Sequence, residues 1–174
     1  MASSSRHAAS ARGFLRGAAQ QAQPERTSSQ VSAEVARYLG AISILVVGAI
    51  HAQQYYGAYF RVVPTIGTLF LLSFVGAGVV GAVLLLPVRR LAKRRGNLVL
   101  AVAALGAIGI ALGTLVSLLI SEYMPLFGFM ESGYRLAIVL TLIFDGLTTI
   151  FLGLFLLLVT PQLVATRTTE RRTR

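Results

Sequence analysis

The sequence contains no cysteine and no tryptophan, only two histidines, and six acidic residues in a chain of 174. Without Cys there is no disulfide, no thiolate metal site and no thiol redox chemistry. Without Trp, the aromatic anchors of a membrane interface must be Tyr and Phe, with Arg beside them. Charge of either sign is scarce: 13% of the residues are charged, against 55% that are hydrophobic. A water-soluble domain of this length needs more charge than that to coat its surface. The charges that exist are gathered into short segments, separated by runs that hold almost none, which is the pattern of a membrane protein.

Four of those runs are long enough to cross a bilayer, at about 38–56, 62–86, 97–121 and 134–160. At a rise of 1.5 Å per residue they reach about 28 to 40 Å, against a hydrocarbon core of about 30 Å. None shows the period-two alternation of a membrane β-barrel, and lipid forbids open strands. The expected fold is therefore all-α, a membrane-embedded four-helix bundle over 31–160. It is preceded by a disordered basic tail over 1–30 and followed by a second basic tail over 161–174. The first tail is rich in Ser, Ala, Gln and Arg, a composition that cannot bury a core.

Orientation follows from the cations. Fourteen of the sixteen Lys and Arg lie in the two tails and in the connection between spans two and three, leaving Arg61 and Arg135 on the other side. Short basic segments are retained in the cytoplasm, so the expectation is a multi-pass protein of the inner (plasma) membrane with both termini cytoplasmic. The basic segments would then meet anionic lipid headgroups, and their proximity to the leaflet makes a nucleic-acid partner unnecessary. A competing reading makes the first span a secretory signal cleaved near Val47-Gly48-Ala49. Its leader of nearly forty residues is far longer than an ordinary signal peptide has.

Small residues indicate how the spans pack. Gly76-Ala77-Gly78-Val79-Val80-Gly81 matches a dinucleotide-binding glycine pattern, but it lies within an apolar helix with no preceding strand. Gly78 with Ala82, and Ala77 with Gly81, instead form flat grooves, and span three repeats the device at Gly106, Gly109 and Gly113. Small residues four apart let membrane helices approach closely. Spans two and three are expected to meet each other there, or to meet a partner such as a second copy of the chain.

Polar residues within the spans carry the functional signal. Asp145 is the only acid deep in a span, and such a group must face the bundle and be neutral or paired. Counted inward at 1.5 Å per residue, Asp145 lies about 15 Å deep, Ser73 about 16 Å, Thr114 about 10 Å and His51 about 7 Å. Ser73 and Thr114 are the better-placed partners of Asp145, with His51 nearer the interface. The external connections add Tyr55, Tyr56, Tyr59 and Arg61, then Glu122, Phe127, Phe129, Glu131 and Arg135. Some of these form the usual interfacial belt. Aromatic and Arg side chains also dominate recognition surfaces, so a site between these two connections is the natural expectation.

A His followed by Tyr-rich residues, then Pro64-Thr65-Ile66-Gly67-Thr68-Leu69-Phe70-Leu71-Leu72, then Gly128-Phe129, Glu131 and Tyr134-Arg135, resembles a family of small four-span membrane proteins of high-GC Gram-positive bacteria. The resemblance covers most of 38–160. It implies the four-span topology and no activity, and it supplies no catalytic residues.

Catalysis is disfavoured by what is missing. A transmembrane haem needs two membrane histidines, and only His51 lies in a span. Ser73, Ser117 and Ser121 have no second histidine to serve as base. Phosphate loops and zinc motifs are absent, so no metal, cofactor or enzyme activity is expected. Two classes remain. One is an accessory or interaction subunit that presents its aromatic external surface to a partner, as a homodimer or in a larger membrane complex. The other is a dimeric proton- or cation-coupled transporter or channel that uses Asp145.

Overall fold

A computed structural model describes residues 28–58, 60–91, 95–125, 127 and 135–172, with side chains at all of these except 90, 91 and 161 onward. The chain divides into two compact units, Met1–Val31 and Ser32–Arg174. The basic tail expected over 1–30 lies outside the described residues, apart from its last three. Helix α1 spans Ser28–Tyr56, α2 Pro64–Leu85, the short α3 Val88–Leu91, α4 Gly96–Tyr123 and α5 Leu136–Arg172, with a 3-10 turn at Phe60–Val62 between α1 and α2. No strand occurs among the described residues. Helices α1, α2, α4 and the Leu136–Thr160 part of α5 are long and apolar enough to cross a membrane.

Prolines set the helix ends. Pro64 opens α2 at its first turn, where its missing N–H costs nothing. Pro87 holds Leu86 extended (φ −65°, ψ 151°), which stops α2. Pro125 does the same to Met124 (φ −142°, ψ 147°) and stops α4. The end at Tyr56, Pro64, Tyr123 and Leu136 is called the aromatic end below, and the end at Leu86 to Arg95 the basic end.

Helix α1 begins ten residues before the start of the expected span. The reason is its buried stripe, Ala33, Ala36, Arg37, Gly40, Ala41, Ile44, Val47, Gly48 and His51, which keeps a helical period straight through Arg37. Arg37 is 3% exposed. Its guanidinium donates to Glu34 Oε2 at 2.6 Å and to the Leu86 carbonyl at 3.3 Å, capping the last turn of α2. The other Glu34 oxygen pairs with Arg89, whose Nε donates to Asn97 Oδ1 at 2.7 Å. Three helices and a corner are thereby tied by one acid. Glu34 carries no motif, and sequence patterning leaves it unremarked.

Helix α5 buries Ile138, Thr141, Asp145, Thr148, Leu152, Phe155 and Val159, a three-four alternation that makes one continuous seam. The seam changes character halfway. Toward the aromatic end it is hydroxyl and carboxyl; toward the basic end it is large and apolar. Opposite the apolar half, α4 supplies Leu100, Ala103, Ala104 and Ala107, while α1 and α2 supply Ile44, Val47, Ala77 and Leu84. This is the core.

Within the chain, the small residues of spans two and three divide by face. Gly78, Gly109 and Gly113 have nothing within 4 Å of where a Cβ would stand, and Ala82 is exposed, so none of the four packs helix against helix within the chain. Close approach is made on neighbouring faces instead. A Cβ at Gly40 would overlap the Leu152 side chain of α5, and one at Gly48 would lie 3.0 Å from Ala77 Cβ. At Gly76 it would lie 3.0 Å from Ile110 Cδ1. On α4 it is mainly alanine that is buried, because its α5 contact needs a small side chain and not a bare backbone.

Candidate functional site

In the aromatic half, the helices do not close. A cleft of about 390 Å³ lies among α1, α2, α4 and α5 and the 3-10 turn. Its polar lining comes from His51 and Gln54 of α1, Ser73 of α2, Thr114, Ser117 and Ser121 of α4, and Arg135 and Thr141 at the start of the α5 segment. The size is that of a pocket for a small molecule.

Each wall has a local cause. On α2 the cleft takes Ile66, Leu69, Phe70 and Ser73, which share one helix face. On α4, Gly109, Gly113 and Ser117 recur every fourth residue, with Thr114 and Ser121 beside them. The glycines leave the room that the cleft occupies. Phe70 lies 5.4 Å from the His51 ring and 5.1 Å from the Phe60 ring, so three rings from three elements form one wall. The Arg135 guanidinium sits 5.7 Å from the Phe60 ring at the aromatic edge of that wall.

His51 is 5% exposed, and its Nδ1 lies 2.8 Å from the Val47 carbonyl. A carbonyl only accepts, so Nδ1 carries the hydrogen and the neutral ring keeps Nε2 as an acceptor. Ser121 and Thr141 donate to carbonyls of their own helices. Ser73 and Ser117 make no hydrogen bond among the described residues, which leaves two hydroxyls on facing helices for an occupant.

Asp145 stands behind this lining. It is 1% exposed and does not reach the cleft; Thr114 Oγ1 contacts its Oδ2 at 2.7 Å. The expected partnership with Thr114 is present, and the depths explain it. Helix α4 runs two residues beyond the expected span and α5 starts two later, so both residues lie about 14 Å from the aromatic end. Ser73 shares the cleft with Thr114 without bonding Asp145, and His51 lies at the cleft's edge toward the aromatic end. Thr114 has one hydrogen but three oxygens near it, with the Ala111 and Ile110 carbonyls at 2.9 and 3.1 Å. Either its hydroxyl donates to Asp145, or a neutral Asp145 donates to Thr114, which passes its own hydrogen to Ala111. The second arrangement leaves no ionised group among apolar helices, where one costs about 2.5–3.5 kcal/mol. Asp145 Oδ1 and Thr148 Oγ1 are buried with no hydrogen-bond partner among the described residues.

Asp145→Asn preserves size and can still bond Thr114. We expect its unfolding free energy in detergent to stay within about 1 kcal/mol of wild type. A loss of several times that amount would mean that the fold requires the carboxyl itself.

At the aromatic end, Tyr55 and Tyr56 form an edge-to-face pair at 4.8 Å, while Tyr56 and Phe127 are mostly exposed. Phe127 also adopts a left-handed backbone (φ 51°). Arg61 and Arg135 are exposed and Glu122 is half-buried. Tyr59, Phe129 and Glu131 lie outside the described residues. Sequence patterning passes over Thr141 and gives Gln54, Phe60 and Phe70 no individual role; Ser117 joins the site only once it is read in register with Gly109 and Gly113. Among the described residues no three His, Asp or Glu side chains gather as a metal site. Comparison of the chain with protein-family models, curated proteins and solved structures finds no match.

Proposed function

We propose that this chain is a four-span protein of the plasma membrane that works as a binding or accessory subunit, holding an occupant in its cleft without conducting it. The observation that carries this reading is that the cleft is a dead end. Below Thr114 the four helices pack on Leu100, Ala104, Ala107, Leu152 and Phe155, and the buried polar side chains at that depth among the described residues, Ser43 and Thr148, do not line the cleft. The acid that a cation path would need lies behind Thr114, outside the lining.

In this reading both termini and the basic end are cytoplasmic, and the aromatic end faces outward, in keeping with the arginine distribution. The basic segments rest on anionic headgroups. The uncovered Gly78 and Ala82 face suits a second copy of the chain or another membrane subunit. The resemblance to small four-span bacterial proteins agrees with this arrangement.

A second reading, a dimeric proton- or cation-coupled transporter, draws on the partnerless Oδ1 of Asp145. It requires the apolar seam at Leu152 and Phe155 to part. Proteoliposomes that enclose a pH-sensitive dye decide between the two. Under imposed proton, sodium or potassium gradients, wild-type protein is expected to leak no faster than empty vesicles. A flux that Asp145→Asn abolishes would replace the binding reading with transport.

A further inference from the structure

The rim of the cleft is set within the apolar part of the helices. Leu69 and Leu72 line it while 40% and 62% exposed, and Gly109 and Gly113 line it from the exposed side of α4. Counted from Pro64 and Tyr123, these positions lie about 8 to 21 Å below the aromatic end. Val75, Leu112 and Val116 beside them are exposed and apolar. In a bilayer that flank touches acyl chains, so the cleft has a sideways mouth between α2 and α4. The two helices converge at Gly76 and Ile110, then again at Val80 and Gly106, which closes the mouth from below.

We infer that the cleft takes a bilayer-dissolved amphiphile with an uncharged, oxygen-bearing head, entering sideways between α2 and α4. This rests on the binding reading above and names its ligand. Entry from lipid follows from the apolar rim. Among the described residues the lining has no acid, so nothing there selects a cationic head, and the one arginine among them, Arg135, is engaged over Phe60 at the aromatic edge, away from the deep hydroxyls. What the interior offers is neutral: the Ser73 and Ser117 hydroxyls, and His51 with Nδ1 committed to Val47. Those groups match a head that can both accept and donate, seated against the rings of His51, Phe60 and Phe70. A quinone or quinol ring supplies that chemistry, and so does the ester and hydroxyl head of a diacylglycerol.

The experiment is titration of purified protein in detergent with three probes, followed by native mass spectrometry. The probes are a decyl-tailed quinone, dioctanoylglycerol and the anionic dioctanoyl phosphatidylglycerol. Gly113→Leu fills the cleft from a position with open space around it, so folding is preserved. A second variant, Ser73→Ala with Ser117→Ala, removes the hydroxyls and keeps the volume. One neutral probe is expected to bind saturably at one per chain, weakened about tenfold or more by Gly113→Leu and by a similar factor when both hydroxyls are lost. Which neutral probe binds separates the ring from the glyceride. If only the anionic probe binds in a Gly113-sensitive way, the uncharged head is wrong while the binding cleft stands. If no probe responds to Gly113→Leu, the inference and the binding reading fall together.

Discussion

Glu34→Ala is expected to cost about 3–5 kcal/mol of stability, because it strands a buried guanidinium. Arg37 is 3% exposed, and Glu34 is its only acidic partner among the described residues. With the acid gone, Arg37 keeps the Leu86 carbonyl at 3.3 Å and its own Nε, which already has no partner. Arg89 also loses its carboxylate and, among the described residues, retains Asn97. The corner between α2 and α4 would loosen from α1.

The comparison that isolates the cause is Arg89→Ala. Its side chain is 35% exposed, so its loss removes a partly screened pair worth about 1 kcal/mol or less. Glu34→Gln should fall between the two, since it keeps an acceptor and drops the charge. Chemical unfolding in mixed micelles measures all three. Equal effects for Glu34→Ala and Arg89→Ala would show that Arg37 finds water or lipid phosphate when Glu34 is absent, and that the network is ornamental to stability.

Gly40→Ala should destabilise by about 1–3 kcal/mol, the usual cost of forcing one extra carbon into a closed contact. The added carbon would overlap the Leu152 side chain, and the Leu152 backbone nitrogen is only 3.4 Å from the same point, so rotamer change alone gives little relief. Helix α1 must move off α5. Two controls sharpen the test. Gly78→Ala enters open space and is expected to be neutral or to gain about 0.5–1 kcal/mol from helix propensity. Gly40→Ala combined with Leu152→Ala should recover part of the loss, since the second change vacates the overlapped volume. Thermal unfolding of the four proteins reads the pattern. An unimpaired Gly40→Ala would mean that α1 and α5 are not in contact there. A damaging Gly78→Ala would instead locate a partner helix on that face.

These two positions also separate what a sequence displays from what packing adds. Four apolar helices are legible because each is a long uncharged run, and Pro64 marks where one helix starts while Pro87 and Pro125 mark where two others stop. The Thr114 and Asp145 pair is nearly legible, since depth along a helix is a matter of counting residues. Which glycine is covered is a different kind of fact. Gly40 and Gly78 look alike in sequence, yet one abuts Leu152 and the other abuts nothing. That difference depends on the rotation of each helix about its axis, and rotation is chosen by all its neighbours together.

The same distinction governs the site. The sequence alone determined that the chain forms four helices long and apolar enough to cross a membrane, with its cations segregated and no thiol chemistry, because solvation acts on every residue separately. Tertiary structure decided that Glu34 binds two arginines, one of them 55 residues away, and that Asp145 stands behind Thr114. It also decided that Ser73, Ser117 and His51 share a cleft closed at one end. Those are meetings of residues from different helices, and only the packed bundle sets the distances between them.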